Sequence, residues 1–115
     1  MSNTHHLKSW PQFFKAIKAG YRTHELRRDD RGFAVGDILV LHEFDPNNKD
    51  YTGDELGVEV TAMTSFAQPC AVSDEAMNPD FCIMSVRLIN RIARSENVKD
   101  ASGRKPHDTP VRLLP

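Results

Sequence analysis

Two strand-like segments in the middle of the chain, separated by a turn-rich stretch, govern the architecture that this sequence can adopt. Residues 38–44 are apolar enough to form a strand that is buried on both faces for part of its length. Residues 56–62 alternate apolar with small or polar side chains, which is typical of a half-buried strand. Residues 45–50 are rich in Asp, Asn and Pro, which favour turns. We therefore predict an antiparallel strand pair, with residues 51–53 continuing the connecting loop.

A short helix precedes this strand pair. Residues 10–19 carry apolar side chains at helical spacing, which predicts one apolar face: Trp10, Phe13, Phe14 and Ile17. Pro11 suits a first helical turn, and Gly20 can adopt the left-handed conformation that ends a helix. We predict that Ser9 caps the helix and that Gln12, three residues later, returns the bond in a capping box.

Three further segments are strand-like, at residues 5–8, 22–27 and 81–88, and residues 64–80 form a long loop with one helical turn around residues 74–77. Successive strands joined by short loops favour an antiparallel sheet. Five or six such strands with few helices can close into a small barrel, which removes exposed strand edges. The predicted fold is therefore α+β, a small barrel of about five or six mostly antiparallel strands with one N-terminal helix.

The length of 115 residues leaves room for one domain, which we assign to residues 1–92. Residues 93–115 mix charges with Gly and Pro, and we expect a flexible or loosely docked tail. There is no apolar run of the roughly 18 residues that span a membrane, and no apolar signal core at the N-terminus. Two cysteines cannot build a disulfide framework, so we expect a reduced, cytoplasmic protein without membrane contact.

The formal net charge of −1 conceals an uneven distribution. Residues 5–31 contain seven basic and three acidic residues, a balance of +4, whereas residues 37–59 contain one basic and seven acidic residues, a balance of −6. Clustered basic residues are the electrostatic pattern expected for contact with phosphates. A solvated surface of mixed charge is the alternative explanation.

Several short motifs along residues 6–53 together resemble the DUF3850 family, within the ASCH and PUA-like superfamily. The motifs comprise a His-x-Leu-Lys start, an aromatic pair in the helix, a Gly-x-Arg-Thr-x-Glu-x-Arg segment, an Asp-Arg-x-Phe-x-Val-Gly-Asp turn, an Asp-Pro pair and Tyr-Thr-Gly. The matching positions are His6, Leu7, Lys8, Phe13, Phe14, Gly20, Arg22, Thr23, Glu25, Arg27, Asp30, Arg31, Phe33, Val35, Gly36, Asp37, Asp45, Pro46, Tyr51, Thr52 and Gly53.

The resemblance implies a PUA-like (ASCH) β-barrel whose cleft is lined by the Gly-x-Arg-Thr-x-Glu-x-Arg segment. It also implies that the protein binds RNA or acts on modified nucleosides. One branch of the superfamily hydrolyses N4-acetylcytidine with a lysine and a threonine of the equivalent segment. Those positions hold Arg22 and Glu25 here. Arginine is a poor general base and glutamate offers no hydroxyl nucleophile, so the same amidohydrolase activity is not expected.

The candidate ligand- or RNA-binding residues that follow are Lys8, Arg22, Thr23, Glu25, Arg27 and Arg31. On a strand, Thr23, Glu25 and Arg27 would share one face at intervals of about 7 Å. Glu25 could accept a hydrogen bond from a base amino group such as that of cytosine, and Arg27 could hold a phosphate or stack on a base. Alternatively, Glu25 and Arg27 are weakly paired neighbours on a solvated strand face.

Two further functions remain open at this point. One is a hydrolase or nuclease that acts on a nucleoside or RNA, with Glu25 as candidate catalytic base and Lys8 or Arg27 stabilising charge. The other, which the family resemblance also implies, is an accessory protein-interaction domain of the kind found in phages or mobile elements.

The tryptophan, the histidines, the cysteines and Asp37 are predicted to have structural roles and not to form a site. Trp10 is expected to be a core or half-buried residue rather than a base-stacking platform. We predict no cofactor and no metal site: His5, His6 and His24 could meet in space, but no metal-binding spacing supports them. Cys82 is expected in the core, Cys70 in a loop without a helper for catalysis. Asp37 is expected to be a turn or strand-start residue.

Overall fold

The structure is a computed structural model that describes residues 2–91, without the side chains of residues 73, 74, 90 and 91. It contains five strands and two helices, in the order β1 (Thr4–Ser9), α1 (Pro11–Ala19), β2 (His24–Arg28), β3 (Ile38–Asp45), β4 (Asp50–Ser65), α2 (Ser73–Ala76) and β5 (Phe81–Arg91). The predicted boundary at residue 92 and the predicted tail lie outside the described residues.

The five strands form one sheet with the order β1-β3-β4-β5-β2. Strand β1 runs parallel to β3, whereas the other three neighbouring pairs are antiparallel. The parallel pairing follows from α1, which carries the chain from the end of β1 to another part of the sheet. The result is a half-barrel with one short N-terminal helix, which confirms the predicted α+β class and the mostly antiparallel strands.

Two arginine side chains connect the strands at the two ends of the sheet. Arg27, on β2, donates from Nη2 to the main-chain oxygen of Lys8 on β1, at 2.8 Å. Arg31, just after β2, donates from Nη1 to the main-chain oxygen of His6, at 3.0 Å. Side chains therefore satisfy carbonyl groups on the outer edge of β1 that no neighbouring strand pairs with in the described sheet. We call this junction between β1 and β2 the seam.

The core lies on the concave side of the sheet and beneath α1. Its buried apolar side chains come from four of the five strands, the helix and the β2–β3 connection, namely Leu7, Phe14, Ile17, Phe33, Leu39, Leu41, Leu56, Val58, Val60, Cys82, Met84 and Val86. Strand β2 contributes no apolar side chain to this cluster, but its Glu25 side chain is buried. A polar contact also fixes α1, because Lys15 Nζ lies 3.0 Å from the buried Glu43 on β3. No helix in residues 2–91 is long and apolar enough to cross a membrane.

The start of α1 differs from the prediction. Its N-cap is Trp10, which makes no capping hydrogen bond through its side chain, so the predicted capping box of Ser9 and Gln12 is wrong. Ser9 instead belongs to β1, where it lies in register with Glu43 of the parallel strand β3. Pairing with β3 fixes its extended backbone and turns its side chain inward. Gly20 ends the helix with φ of 89°, as predicted.

Strand β4 is longer than predicted. Residues 51–53 belong to this strand and not to the loop, because Tyr51 pairs with Phe44 across the hairpin and their ring centroids lie 4.9 Å apart. Cross-strand aromatic pairs stabilise a hairpin close to its turn. Register shifts in the pairing of β4 with β5 allow the 16-residue strand to bend around the core.

Asp37 organises the turn before β3, as its position after Gly36 suggested. Its carboxylate accepts hydrogen bonds from the main-chain N–H groups of Asn3 and Ala34, both at 3.0 Å, and lies 2.9 Å from His5 Nε2. Burial alone would raise the pKa of Asp37. The hydrogen bonds from Asn3, His5 and Ala34 outweigh burial, and the pKa lies below its ordinary value.

Candidate functional site

A cleft of about 440 Å³ opens between the start of α1 and the edge strand β2. It is lined by Lys8, Ser9, Trp10, Phe13, Arg22, Glu25, Leu26 and Arg27. The cleft therefore lies at the seam, where no strand of residues 2–91 bridges β1 and β2. Its position explains how polar side chains can enter the barrel interior from one side and remain reachable from solvent.

A buried ion pair forms the inner wall of the cleft. Glu25 is only 3% exposed, and its Oε1 accepts a hydrogen bond from Arg27 Nε at 2.8 Å. Arg27 also reaches across the seam to Lys8, so its guanidinium is fixed by two partners on different strands. The alternative in which Glu25 and Arg27 lie on a solvated face is therefore wrong, because β2 turns both side chains towards the interior.

Two buried polar atoms in the cleft lack hydrogen-bond partners among the described residues. They are Oγ of Ser9, a residue that is 4% exposed, and Nε of Arg22. The guanidinium carbon of Arg22 lies 4.6 Å from the ring centroid of Phe13, which holds this side chain against the helix. A buried polar group without a partner costs about 1–3 kcal/mol, so the cleft has hydrogen-bonding capacity that residues 2–91 leave unsatisfied.

Two aromatic side chains form the outer rim of the cleft. Trp10 and Phe13 are 48% and 41% exposed, whereas Phe14 and Ile17 on the same helix are buried. Trp10, which was predicted to be a core or half-buried residue, therefore lies outside the core with about half of its surface exposed, and only part of the predicted apolar face of α1 packs on the sheet. The helix is too short, at nine residues, to cover the seam completely, which leaves its first turn facing the opening.

Four of the six predicted binding residues line the cleft, namely Lys8, Arg22, Glu25 and Arg27. The ammonium group of Lys8, however, lies 4.3 Å from the ring centroid of Phe44, and its main-chain oxygen serves the seam. The other two predicted residues are not among the lining residues. Thr23 is exposed just before β2 and accepts from Val86 N through its main-chain oxygen, and Arg31 bonds to His6.

Sequence reasoning did not identify three of the lining residues as part of a site: Ser9, Phe13 and Leu26. Ser9 matched a helix-capping pattern, and Phe13 matched the apolar face of the helix. Both patterns are local, whereas the cleft depends on the approach of β2 to the end of β1. No local signal separates Phe13 from the buried Phe14, because two adjacent positions of an i, i+3, i+4 pattern can both face the core.

His5 and His6 do not converge on a common site. His5 pairs with Asp37, whereas His6 Nδ1 lies 3.0 Å from His42 Nε2 on the other face of β1. Within residues 2–91, no group of three or more His, Cys, Asp or Glu side chains is placed to hold a metal ion. Cys70 is exposed, and Cys82 lies in the core, where burial, assisted by Asp29 and Asp30, raises its pKa to about 11.

Comparison with solved structures identifies the fold. The ASCH protein of Zymomonas mobilis, solved as the ZmASCH S128A mutant protein, superposes with a TM-score of 0.50 at 16% identity, over 88% of this chain and 81% of that one. The hypothetical protein PH0355 superposes with a TM-score of 0.46 at 17% identity, over 75% of this chain and 99% of that one. None of the curated proteins matches this sequence. The protein therefore has the fold of a small ASCH, PUA-like β-barrel domain with one helix.

The sequence assigns the family within this class. The profile of the DUF3850 family, a domain of unknown function, matches residues 4–86, which is most of the chain. The chain belongs to the DUF3850 family, as the motifs between residues 6 and 53 indicated. The matched segment includes the seam, the cleft and all five strands up to the middle of β5.

Proposed function

We propose that the cleft at the seam binds a nucleotide, either free or as part of an RNA chain. The observation that carries this proposal is the pair of buried, unpartnered polar atoms, Ser9 Oγ and Arg22 Nε, which line the same cleft as the buried carboxylate of Glu25. Together they would offer hydrogen-bond donors and an acceptor to a molecule that enters the cleft. The Watson–Crick edge of a base presents a complementary alternation of acceptors and donors.

The aromatic rim supports the same assignment. A planar base that inserts its polar edge towards Ser9 and Glu25 leaves its faces to be covered. Trp10 and Phe13 stand at the opening with exposed ring surfaces, and stacking of a base on an aromatic side chain contributes about 1–3 kcal/mol. Arg22, held against Phe13, adds a guanidinium plane to this wall. The volume of about 440 Å³ falls within the range of small-molecule sites.

Binding is favoured over catalysis by the arrangement of the polar groups. A hydrolase would need a base in hydrogen-bond contact with its nucleophile. Glu25 is engaged by Arg27 at 2.8 Å, and the Ser9 hydroxyl has no hydrogen-bond partner among the described residues. A binding module needs only that these groups face the ligand, and their position among the residues that line the cleft supports this.

The experiment that tests the proposal is titration of the protein with the four nucleoside 5′-monophosphates and with fluorescein-labelled single-stranded RNA. Isothermal calorimetry would follow the monophosphates, and fluorescence anisotropy would follow the RNA. Wild type would be compared with Ser9→Ala and Arg22→Gln, which alter the unpartnered groups. We expect at least one ligand to bind to wild type and to bind about tenfold more weakly to Arg22→Gln, because one buried hydrogen bond to a charged donor is lost.

Arg87→Gln is the matched control. Arg87 is an exposed arginine that pairs with Glu59 on the part of β5 away from the cleft, so its replacement should leave binding unchanged. Equal binding by wild type and both cleft variants would contradict the proposed site. Absence of binding to every nucleotide and RNA, with the protein folded by circular dichroism, would contradict the proposed function. Ligand breakdown that is lost in Glu25→Gln would instead reassign the cleft to catalysis.

A further inference from the structure

A second, apolar groove lies on the other face of β2. It has a volume of about 380 Å³ and is lined by Leu26, Ala76, Met77, Asn78, Phe81 and Ile83. Leu26 and Ile83 are in register on neighbouring strands and are 56% and 38% exposed. Adjacent exposed apolar side chains on a strand pair form a surface that gains free energy when it is covered. Nothing in the proposed nucleotide site accounts for this groove.

The groove is continuous with the proposed nucleotide site through one residue. Leu26 lines both the cleft and the groove, because it lies on the outer face of the edge strand β2 between the inward-pointing Glu25 and Arg27. No strand beyond β2 covers this edge in the described sheet. No described strand or helix therefore separates the cleft from the groove for a flexible chain that passes over the edge of β2.

A cationic group lies beside the aromatic ring that lines the groove. Arg28 lies in register with Phe81, and its guanidinium carbon is 4.8 Å from the Phe81 ring centroid. The only ion pair that the structure gives Arg28 is to Asp80, at 3.9 Å, and both side chains are mostly exposed. Such an exposed, long contact contributes little, so a stronger anion can displace Asp80.

We infer that the groove is a second nucleotide subsite, in which the base next to the one in the cleft packs against Phe81 and Leu26 while Arg28 contacts the linking phosphate. This inference rests on the proposed function and specifies the ligand as a single-stranded oligonucleotide. An apolar floor, one aromatic ring and an adjacent arginine are the elements with which proteins hold successive unpaired bases and their backbone. A duplex could not splay two bases over the two faces of one strand.

The test compares the affinity for a mononucleotide, which can fill one subsite, with the affinity for an oligonucleotide, which can fill both. Mononucleotides would be titrated by calorimetry, and single-stranded decamers of RNA and of the same sequence as DNA would be followed by anisotropy, with a duplex as a third arm. Wild type should bind a single-stranded decamer at least about tenfold more tightly than any mononucleotide, because an additional stacked base contributes that much. Comparison of the RNA and DNA decamers shows which of these two single-stranded nucleic acids the protein prefers.

Variants in the groove separate the two subsites. Arg28→Ala and Phe81→Ala should weaken decamer binding several-fold and leave mononucleotide binding unchanged. Asp80→Asn should strengthen decamer binding, because it frees Arg28 while keeping the hydrogen bonds that residue 80 makes through its main chain. The control is Arg87→Ala, another exposed arginine of an ion pair, about 20 Å along β5 from Phe81.

The possible failures are distinguishable. Mononucleotide binding that is equal in wild type and groove variants, with no gain for the decamer, would overturn the second subsite and leave the proposed function intact. Absence of binding to any nucleotide would overturn both. Phe81→Ala could disturb folding, since Phe81 is half-buried, but Arg28→Ala changes only a mostly exposed side chain. Wild-type decamer affinity in folded Arg28→Ala and Asp80→Asn would therefore also overturn the inference.

Discussion

The buried side chain of Asp37 serves the fold and not the cleft. Its two carboxylate oxygens receive the main-chain N–H groups of Asn3 and Ala34 and face the ring of His5. These contacts join the N-terminal strand to the turn before β3. Asp37 is only 1% exposed, so water cannot reach its carboxylate. These hydrogen bonds therefore take the place of hydrogen bonds to water.

We expect Asp37→Asn to lower the free energy of unfolding at pH 7 by about 1–3 kcal/mol. The amide would direct its NH₂ group at a main-chain N–H and leave that donor unpaired. Urea unfolding followed by circular dichroism measures the effect. Asp54→Asn, which changes an exposed carboxylate on β4, is the control and should stay within about 0.5 kcal/mol of wild type. Equal stability of both variants would show that the Asp37 contacts are dispensable.

The pH dependence of the same variant has a definite sign. Because folding lowers the pKa of Asp37 below its ordinary value of 3.8, the ionised carboxylate stabilises the folded state above that pH. This contribution is lost as the pH falls through the lowered pKa. Stability of wild type should therefore fall more steeply than that of Asp37→Asn below about pH 4, in urea unfolding curves at pH 2.5–7.

Ser9 belongs to the cleft. Its hydroxyl is buried without a hydrogen-bond partner among the described residues, so Ser9→Ala should leave the free energy of unfolding unchanged or raise it slightly. Ser65→Ala is the matched control, because the buried Ser65 hydroxyl accepts from Gln68 N at 3.1 Å and its loss should cost about 1 kcal/mol. Thermal unfolding of the ligand-free proteins compares the two. A destabilised Ser9→Ala would indicate a structural role for this hydroxyl.

At the scale of the elements, the seam is the part of the sheet that backbone pairing leaves open. Strands β1 and β2 stand at the two ends of the order β1-β3-β4-β5-β2. Arg27 and Arg31 bridge them through main-chain carbonyl groups of β1. Joining the ends by long side chains instead of a strand ladder leaves a gap wide enough for the cleft.

Removal of Arg27 should therefore affect both the seam and Glu25. We expect Arg27→Met to lower the free energy of unfolding by about 3 kcal/mol, because it leaves the carboxylate of Glu25 buried without its partner. The double variant Glu25→Gln with Arg27→Met should recover part of the loss, since no charge is then buried. Urea unfolding of the four proteins forms a double-mutant cycle.

Arg87→Met is the comparison for this cycle. Arg87 and Glu59 also form an ion pair, between the neighbouring strands β5 and β4, but the Arg87 side chain is 64% exposed. Its loss should change stability by less than about 1 kcal/mol. If Arg27→Met lowered the free energy of unfolding by as little as Arg87→Met, the seam would be held by other contacts.

At the scale of the whole molecule, the charge blocks of the sequence are only partly present at the surface. The acidic segment at residues 37–59 places three of its carboxylates in the interior, at Asp37, Glu43 and Glu55. The basic segment at residues 5–31 uses Arg27 and Arg31 in the seam. Few cations near the cleft and groove therefore remain for phosphates.

This distribution predicts a shallow salt dependence. If two or three phosphates are contacted, the logarithm of the affinity for single-stranded RNA should fall with the logarithm of salt concentration with a slope of about −1.5 to −2. Anisotropy titrations at several salt concentrations between about 50 and 300 mM would measure this slope. Arg28→Ala should make the slope shallower by about 0.7. A slope steeper than about −4 would indicate a broad basic surface instead of the cleft and groove.

The sequence alone determined the local elements of this protein, because their signals are carried by neighbouring residues. The alternation in β4, the apolar run of β3 and the glycine that ends α1 all appear where they were predicted. The family motifs also directed attention to Arg22, Glu25 and Arg27, which line the cleft. The extension of β4 over residues 51–53 was not predictable in this way, because it depends on the contact between Phe44 and Tyr51 on two different strands.

Tertiary structure decided what those side chains do. Ser9 fits a helix cap by its spacing, yet pairing of β1 with β3 turns it into the barrel. The sequence predicts Arg27 as a ligand-binding cation. In the folded protein its guanidinium spans the gap between β2 and β1 and donates to the main-chain oxygen of Lys8. Both outcomes depend on contacts between residues far apart in the chain. Local spacing fixes which way a side chain points from its own element, but only the packing of elements fixes what it meets there.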